Sequence, residues 1–186
     1  MTLASIFTAA FDFLFGVIPS RSTLKSATFE DATIAILVIV CATQITALNM
    51  PNGMNSSVEL LLNALGGLLC IASYVYFATM ILNKTAVEKF TYAEVLTMDI
   101  VTTGGMTVVT TVLGYLMSIA QPLQTLALFV VFIVFSVYAF VLMLQGMSAI
   151  AGITKWKALS ISVVAVLPGA LLYLILFLTF GFYGLI

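Results

Sequence analysis

The sequence contains no histidine, and only 7% of its 186 residues are charged. The first absence removes the commonest metal ligand and the usual general base near neutral pH. The second excludes a water-soluble fold, whose composition carries roughly 25% charged residues. Six basic residues stand against seven acidic ones, for a net charge of −1. That excludes the broad positive footprint that nucleic acid requires. Cysteine is nearly absent too. Cys41 and Cys70 each sit midway along an apolar stretch, where the pattern fits small buried hydrophobes, with a disulfide as the alternative. Neither belongs to a C-x-x-C metal or redox site. No G-x-S-x-G, H-E-x-x-H or paired-carboxylate arrangement occurs, so the expectation is a protein that is not an enzyme and holds no metal.

What the sequence has instead is apolar length. Hydrophobic residues make up 63% of the chain. Five stretches are long enough to cross a bilayer, at about 32–50, 58–82, 94–117, 123–145 and 158–182. The predicted fold is all-α: an integral membrane bundle of five transmembrane helices behind an N-terminal amphipathic interfacial helix. The latter covers residues 1–18 and the five-span membrane domain covers 19–186. In the first segment Leu3, Ile6, Phe7, Ala10, Phe11, Leu14 and Val17 follow helical spacing, opposite Thr2, Ser5, Thr8 and Asp12. Such a stripe suits the interface plane better than a crossing. A signal peptide fits less well, because there is no basic n-region and Asp12 interrupts the apolar run.

Punctuation supports the spans. Thr28-x-x-Asp31, Ser56-x-x-Glu59 and Thr91-x-x-Glu94 have the spacing of helix-opening capping boxes. Met50-Pro51-Asn52-Gly53 has turn chemistry, and Pro122 suits a helix start. Gly66-Gly67 inside the second span marks close helix contact, and Pro168-Gly169 inside the fifth marks a kink. Gly146, Ala149 and Gly152 extend the fourth span as a small-residue edge. The basic residues sort by connection. Arg21 and Lys25 precede the first span, Lys84 and Lys89 follow the second, and Lys155 and Lys157 follow the fourth, with Trp156 between them. These seven residues read as interface anchors. Five crossings put all three groups on one side, which the positive-inside rule makes cytoplasmic, with the C-terminus outside.

One span differs from the others. Leu96 to Met117 contains a carboxylate, Asp99. At about 100° per residue Asp99, Thr103, Thr107, Thr110 and Gly114 share one face, opposite Val101, Val108, Val112 and Leu116. Lipid cannot hydrogen-bond a carboxyl group, so this stripe must face other helices or water. Gln145, ending the inward-running fourth span, lies at a similar depth and is a possible partner for Asp99. Two readings stay open for the polar site of Asp99, Thr103, Thr107, Thr110 and Gln145. One is a structural register-setter; the other is an ion, proton or partner-binding site. Thr102-Thr103-Gly104-Gly105 fits helix packing, or else a broken helix lining a path. Gln44 is a buried amide that needs a neighbour. The 14 Phe and seven Tyr, Phe132, Phe135, Tyr138 and Phe140 among them, suit lipid and core contacts better than a cofactor pocket.

Several local stretches carry a resemblance. They are Lys89-Phe90-Thr91-Tyr92-Ala93-Glu94-Val95-Leu96, then Phe135-Ser136-Val137-Tyr138 through Gly146, then Gly152-Ile153-Thr154-Lys155-Trp156-Lys157-Ala158-Leu159, with Pro168 beyond. In these and in its layout the chain resembles the Yip family, the Ypt/Rab-interacting five-pass membrane proteins. Its compact form is more similar to the short prokaryotic members. The acidic Asp-Leu-Tyr-Gly-Pro type motif and long cytosolic arm of eukaryotic members are absent; Phe29-Glu30-Asp31 is the nearest acidic spot. The resemblance implies a non-enzymatic protein of membrane organisation, trafficking or partner assembly in a prokaryotic cell membrane, with no cofactor. Its partners would be the lipid bilayer, other membrane proteins or further copies of itself. The alternative is a small-solute or ion channel or transporter using the polar face of the third span.

Overall fold

In the computed structural model, which describes residues 1–48, 57–85 and 88–182, every regular element is a helix. In chain order they are α1 (Leu3–Leu14), α2 (Arg21–Lys25), α3 (Phe29–Leu48), α4 (Ser57–Thr85), α5 (Tyr92–Asp99), a π-helical segment (Ile100–Gly104), α6 (Gly105–Ile119), α7 (Pro122–Ala151) and α8 (Lys155–Phe182). Tyr92–Ile119 runs as one span through the π segment, so five helices are long and apolar enough to cross a membrane. The fourth reaches Ala151, six residues past its expected end, and stops at Gly152 with φ +64°, the left-handed geometry glycine adopts at helix ends. The expected turn at Met50–Gly53 and the cap at Ser56 lie outside the described residues.

The helix starts form as the sequence dictates. Thr28 Oγ1 accepts from the Asp31 amide at 3.1 Å and donates to its carboxylate at 2.8 Å. Thr91 and Glu94 close a full capping box. Pro122 occupies the first turn of α7, where its missing N–H costs nothing.

The most extensive helix pairing is α4 against α8. It depends on small residues. A Cβ at Gly169 would fall 2.5 Å from the Leu69 carbonyl oxygen, and one at Gly66 would overlap the Tyr173 ring. Pro168 stands inside α8 without ending it. A proline ring disrupts the helical ladder around it. Ser73 on α4 repairs this one: its hydroxyl donates to the Ala165 carbonyl at 2.8 Å and accepts from the Gly169 amide at 3.1 Å.

The amphipathic N-terminal helix is present, and its apolar face meets the bundle. Ile6, Ala10 and Phe13 are buried. Phe13 fits where Gly146 leaves room, since a Cβ there would lie 2.5 Å from its ring, and Gly105 lets the α1 backbone approach, since a Cβ there would lie 2.7 Å from the Ala10 carbonyl oxygen. Tyr138 Oη donates to the Leu14 carbonyl at 2.8 Å. Gly105 lies 14 residues beyond the Thr91 cap, about 20 Å along the helix. The tip of α1 therefore reaches well down the side of the bundle. Gly16, at φ +83°, turns the chain back toward α2. Phe11, Phe15 and Val17 stay exposed as an apolar edge.

At α2 the hairpin is clamped. Arg21 pairs with Glu88 at 3.0 Å and with Glu94 at 3.4 Å, and donates to the Lys89 carbonyl at 2.5 Å. Its guanidinium lies 3.6 Å from the centre of the Phe90 ring. Lys25 adds a 3.1 Å contact to Glu88. Residues 149–152 border the same surface hollow as Arg21, Lys25 and Glu88, so the three basic groups of the sequence gather at one end of the bundle. Lys84, Lys89, Lys155, Trp156 and Lys157 are exposed there; Arg21 turns inward to Glu94.

Candidate functional site

The third span positions the site. Asp99 is the last residue of α5, about 12 Å along the helix from the Thr91 cap, and the π segment begins immediately after it. A π turn inserts one extra residue into the helix and turns everything beyond it by about 100°. The consequence is visible in the stripe. Asp99, Thr103 and Thr107 face one cavity, but Thr110 does not border it and donates to the Met106 and Thr107 carbonyls. Val101, before the end of the insertion, is buried, whereas Val108, Val112 and Leu116 lie exposed on the outside. An ideal helix would have put all four on one face.

Asp99 borders two cavities. One, of about 280 Å³, lies among α3, α4 and the third span and is lined by Thr43, Gln44, Asn63, Gly67, Cys70 and Thr107 among others. The second, of about 410 Å³, lies toward α7 and α8 and is lined by Thr102, Phe140, Met143, Met147 and Ser162 among others. Asp99, Thr103, Tyr74 and Val166 line both, forming the partition between them. Gly67 helps to open the first, since a Cβ there would meet nothing within 4 Å.

The hydrogen bonding is one-sided. Thr103 Oγ1 donates to the Asp99 carbonyl at 2.6 Å and lies 3.5 Å from its carboxylate. Thr102 donates to the Met98 carbonyl at 2.8 Å, Thr107 to that of Thr103 at 2.9 Å, and Thr43 to that of Val40 at 2.8 Å. Tyr74 Oη donates to Met147 Sδ at 3.5 Å, and Tyr173 Oη to Asn63 Oδ1 at 2.7 Å. Gln44 Oε1 is buried with no donor. Among the described residues the ion pairs lie in the Arg21–Lys25 cluster, and none involves Asp99. Gln145 is partly buried on α7 but borders neither cavity and has no hydrogen bond to Asp99. The expected Asp99–Gln145 pairing does not form. Cys41 faces outward and Cys70 lines the first cavity; both are free, so they form no disulfide, and Cys41 is not the buried hydrophobe its position suggested. Among the described residues no three His, Cys, Asp or Glu side chains converge as a metal site would require.

Sequence reasoning placed Asp99, Thr103 and Thr107 together and noted Gln44. It missed Tyr74, Asn63 and the π turn. The paired glycines after two threonines were the only signal for the π turn.

The fold and site together define a multi-pass α-helical protein with apolar, membrane-spanning helices and a few polar side chains gathered around Asp99 in a largely apolar interior. Neither family models nor curated proteins nor solved structures match the chain.

Proposed function

We propose that this protein admits a small polar or charged solute into the middle of its membrane bundle, with Asp99 as the recognising group. The observation that carries the reading is the position of Asp99 between two cavities without a basic partner. An ionisable side chain at this depth is costly, and such residues mark ion or substrate paths. The two cavities share Tyr74, Asp99, Thr103 and Val166 as their common wall. In proteoliposomes the wild type should pass small polar solutes, and Asp99→Asn should change the rate or its pH dependence. Equal rates with empty liposomes, across a panel of small solutes, would reject the reading.

A second reading is a non-enzymatic scaffold of Yip type in a prokaryotic cell membrane, organising membranes or assembling partners. In its favour are the clamped N-terminal hairpin beside the connection around Lys89 and the outward apolar surface of α7, from Phe129 to Val141. Its surfaces would be the exposed apolar edge of α1, beside the bundle within the membrane layer, and the connections at Lys84–Glu94 and Lys155–Lys157, oriented to the cytoplasm with the C-terminus outside. This reading predicts membrane proteins or further copies co-purifying in mild detergent, no solute flux, and dispensability of Asp99.

A further inference from the structure

We propose that the cavity at Asp99 takes a small monovalent cation. This rests on the solute-admitting reading and adds the charge and size of the species that enters. The hydrogen-bonding capacities left over in the lining decide the matter. A threonine hydroxyl has one proton and two lone pairs. The protons of Thr43, Thr103 and Thr107 all go to main-chain carbonyls of their own helices. These side chains therefore offer the cavity oxygen lone pairs. Gln44 Oε1 adds an acceptor that is buried and unmatched, and an unmet buried acceptor is costly. Asp99 adds a carboxylate that accepts a long 3.5 Å contact from Thr103. The hydroxyl of Tyr74 is directed to Met147 Sδ, away from these oxygens. No Lys or Arg lines either cavity.

The amide N–H groups of Gln44 and Asn63 and the Cys70 thiol also line the cavity, but none carries a positive charge, so the carboxylate leaves the set repelling anions. It is completed by something that brings positive charge and accepts oxygen ligands on several sides. One carboxylate balances one unit charge. A divalent ion would leave a net charge stranded in an apolar bundle, where desolvation is expensive. The first cavity, at about 280 Å³ and with the polar groups gathered on it, is roomy enough for an ion with part of its water shell.

The test is thermal unfolding of the purified full chain at equal ionic strength in sodium, potassium, methylammonium or N-methylglucamine chloride. The first three are small enough to enter; the last is too large and serves as the reference. A cation that binds the folded state raises the midpoint, by about 5 °C or more at a hundredfold excess over Kd. The rise should saturate and should vanish in Asp99→Asn. Thr103→Val and Gln44→Leu, which keep the shape of the lining, should each shift the half-saturating concentration by about tenfold. Equal midpoints in all four salts overturn the inference, and so does a rise that persists undiminished in Asp99→Asn. Glycerol and urea flux into proteoliposomes separates the two levels. If these neutral solutes pass while cations neither pass nor stabilise, the cation assignment fails and the solute-admitting reading stands. If nothing passes and nothing stabilises, both fail.

Discussion

Arg21 shows how one residue can outgrow the role its neighbours suggest. Among basic residues near a span start it reads as a headgroup anchor, but in the fold it turns onto Glu94, whose side chain is only 5% exposed. Nothing local marks this, because the partner lies 73 residues away. Removing one member of a buried pair strands the other, so Arg21→Met should cost about 3 kcal/mol, whereas Lys25→Met, at an exposed pair, should leave stability nearly unchanged. Equal midpoints for the two variants in chemical or thermal unfolding would refute the assignment. Glu88 adds a pH signature. Its hydrogen bond to Lys25, with the charges of Lys25 and Arg21, holds its carboxyl below the usual range. A folded-state value below the unfolded one means the unfolded chain binds the proton first. The contribution is therefore complete above the unfolded value and disappears as pH falls through the folded one. Stability of the wild type should fall more steeply below about pH 4 than that of Glu88→Gln.

At the scale of elements, the helices and their starts were legible, because capping chemistry and apolar length are local. Thr28, Thr91 and Pro122 act where their spacing placed them. The π turn was not legible, since one inserted residue leaves the composition of the span untouched and changes only the phase of the residues beyond it. That is why Thr107 stayed on the polar face and Thr110 left it. The paired glycines of α4 divide in a way that spacing could not foresee: Gly66 touches Tyr173 and Gly67 leaves a void. Pro168 was expected to kink its helix, and the neighbouring helix supplies the answer through Ser73. Ser73→Ala should release the Gly169 amide and the Ala165 carbonyl together, at about 1–3 kcal/mol. Ser73→Thr, which keeps the hydroxyl, should recover part of that loss if the extra methyl finds room; unfolding in detergent would rank the three chains.

The whole molecule has two apolar environments that the sequence does not distinguish. Cys41 and Cys70 sit in similar surroundings along the chain, yet one lies on the outer surface and the other on the cavity that Asp99 borders. In a membrane the outer surface is covered by lipid. A small hydrophilic thiol reagent should therefore modify Cys70 and spare Cys41, and unfolding in denaturant should make both react. If Cys41 reacts first in the membrane, the cavity is closed to water and the polar-solute reading loses its ground. Five helices long enough to cross make an odd number of crossings, and tags at the two termini should accordingly become accessible from opposite faces.

The docking of α1 also sets an order of events during synthesis. Leu14 is held by Tyr138, a residue made 124 positions later, and Phe13 waits for Gly146, later still. At a ribosome's pace of about 5–20 residues per second, the first helix spends on the order of ten seconds without its seat. Through that interval its apolar stripe needs temporary cover, and the membrane surface nearest the emerging chain offers it. An amphipathic helix that can float first and lock afterwards makes the closing of the N-terminal hairpin a late event in assembly.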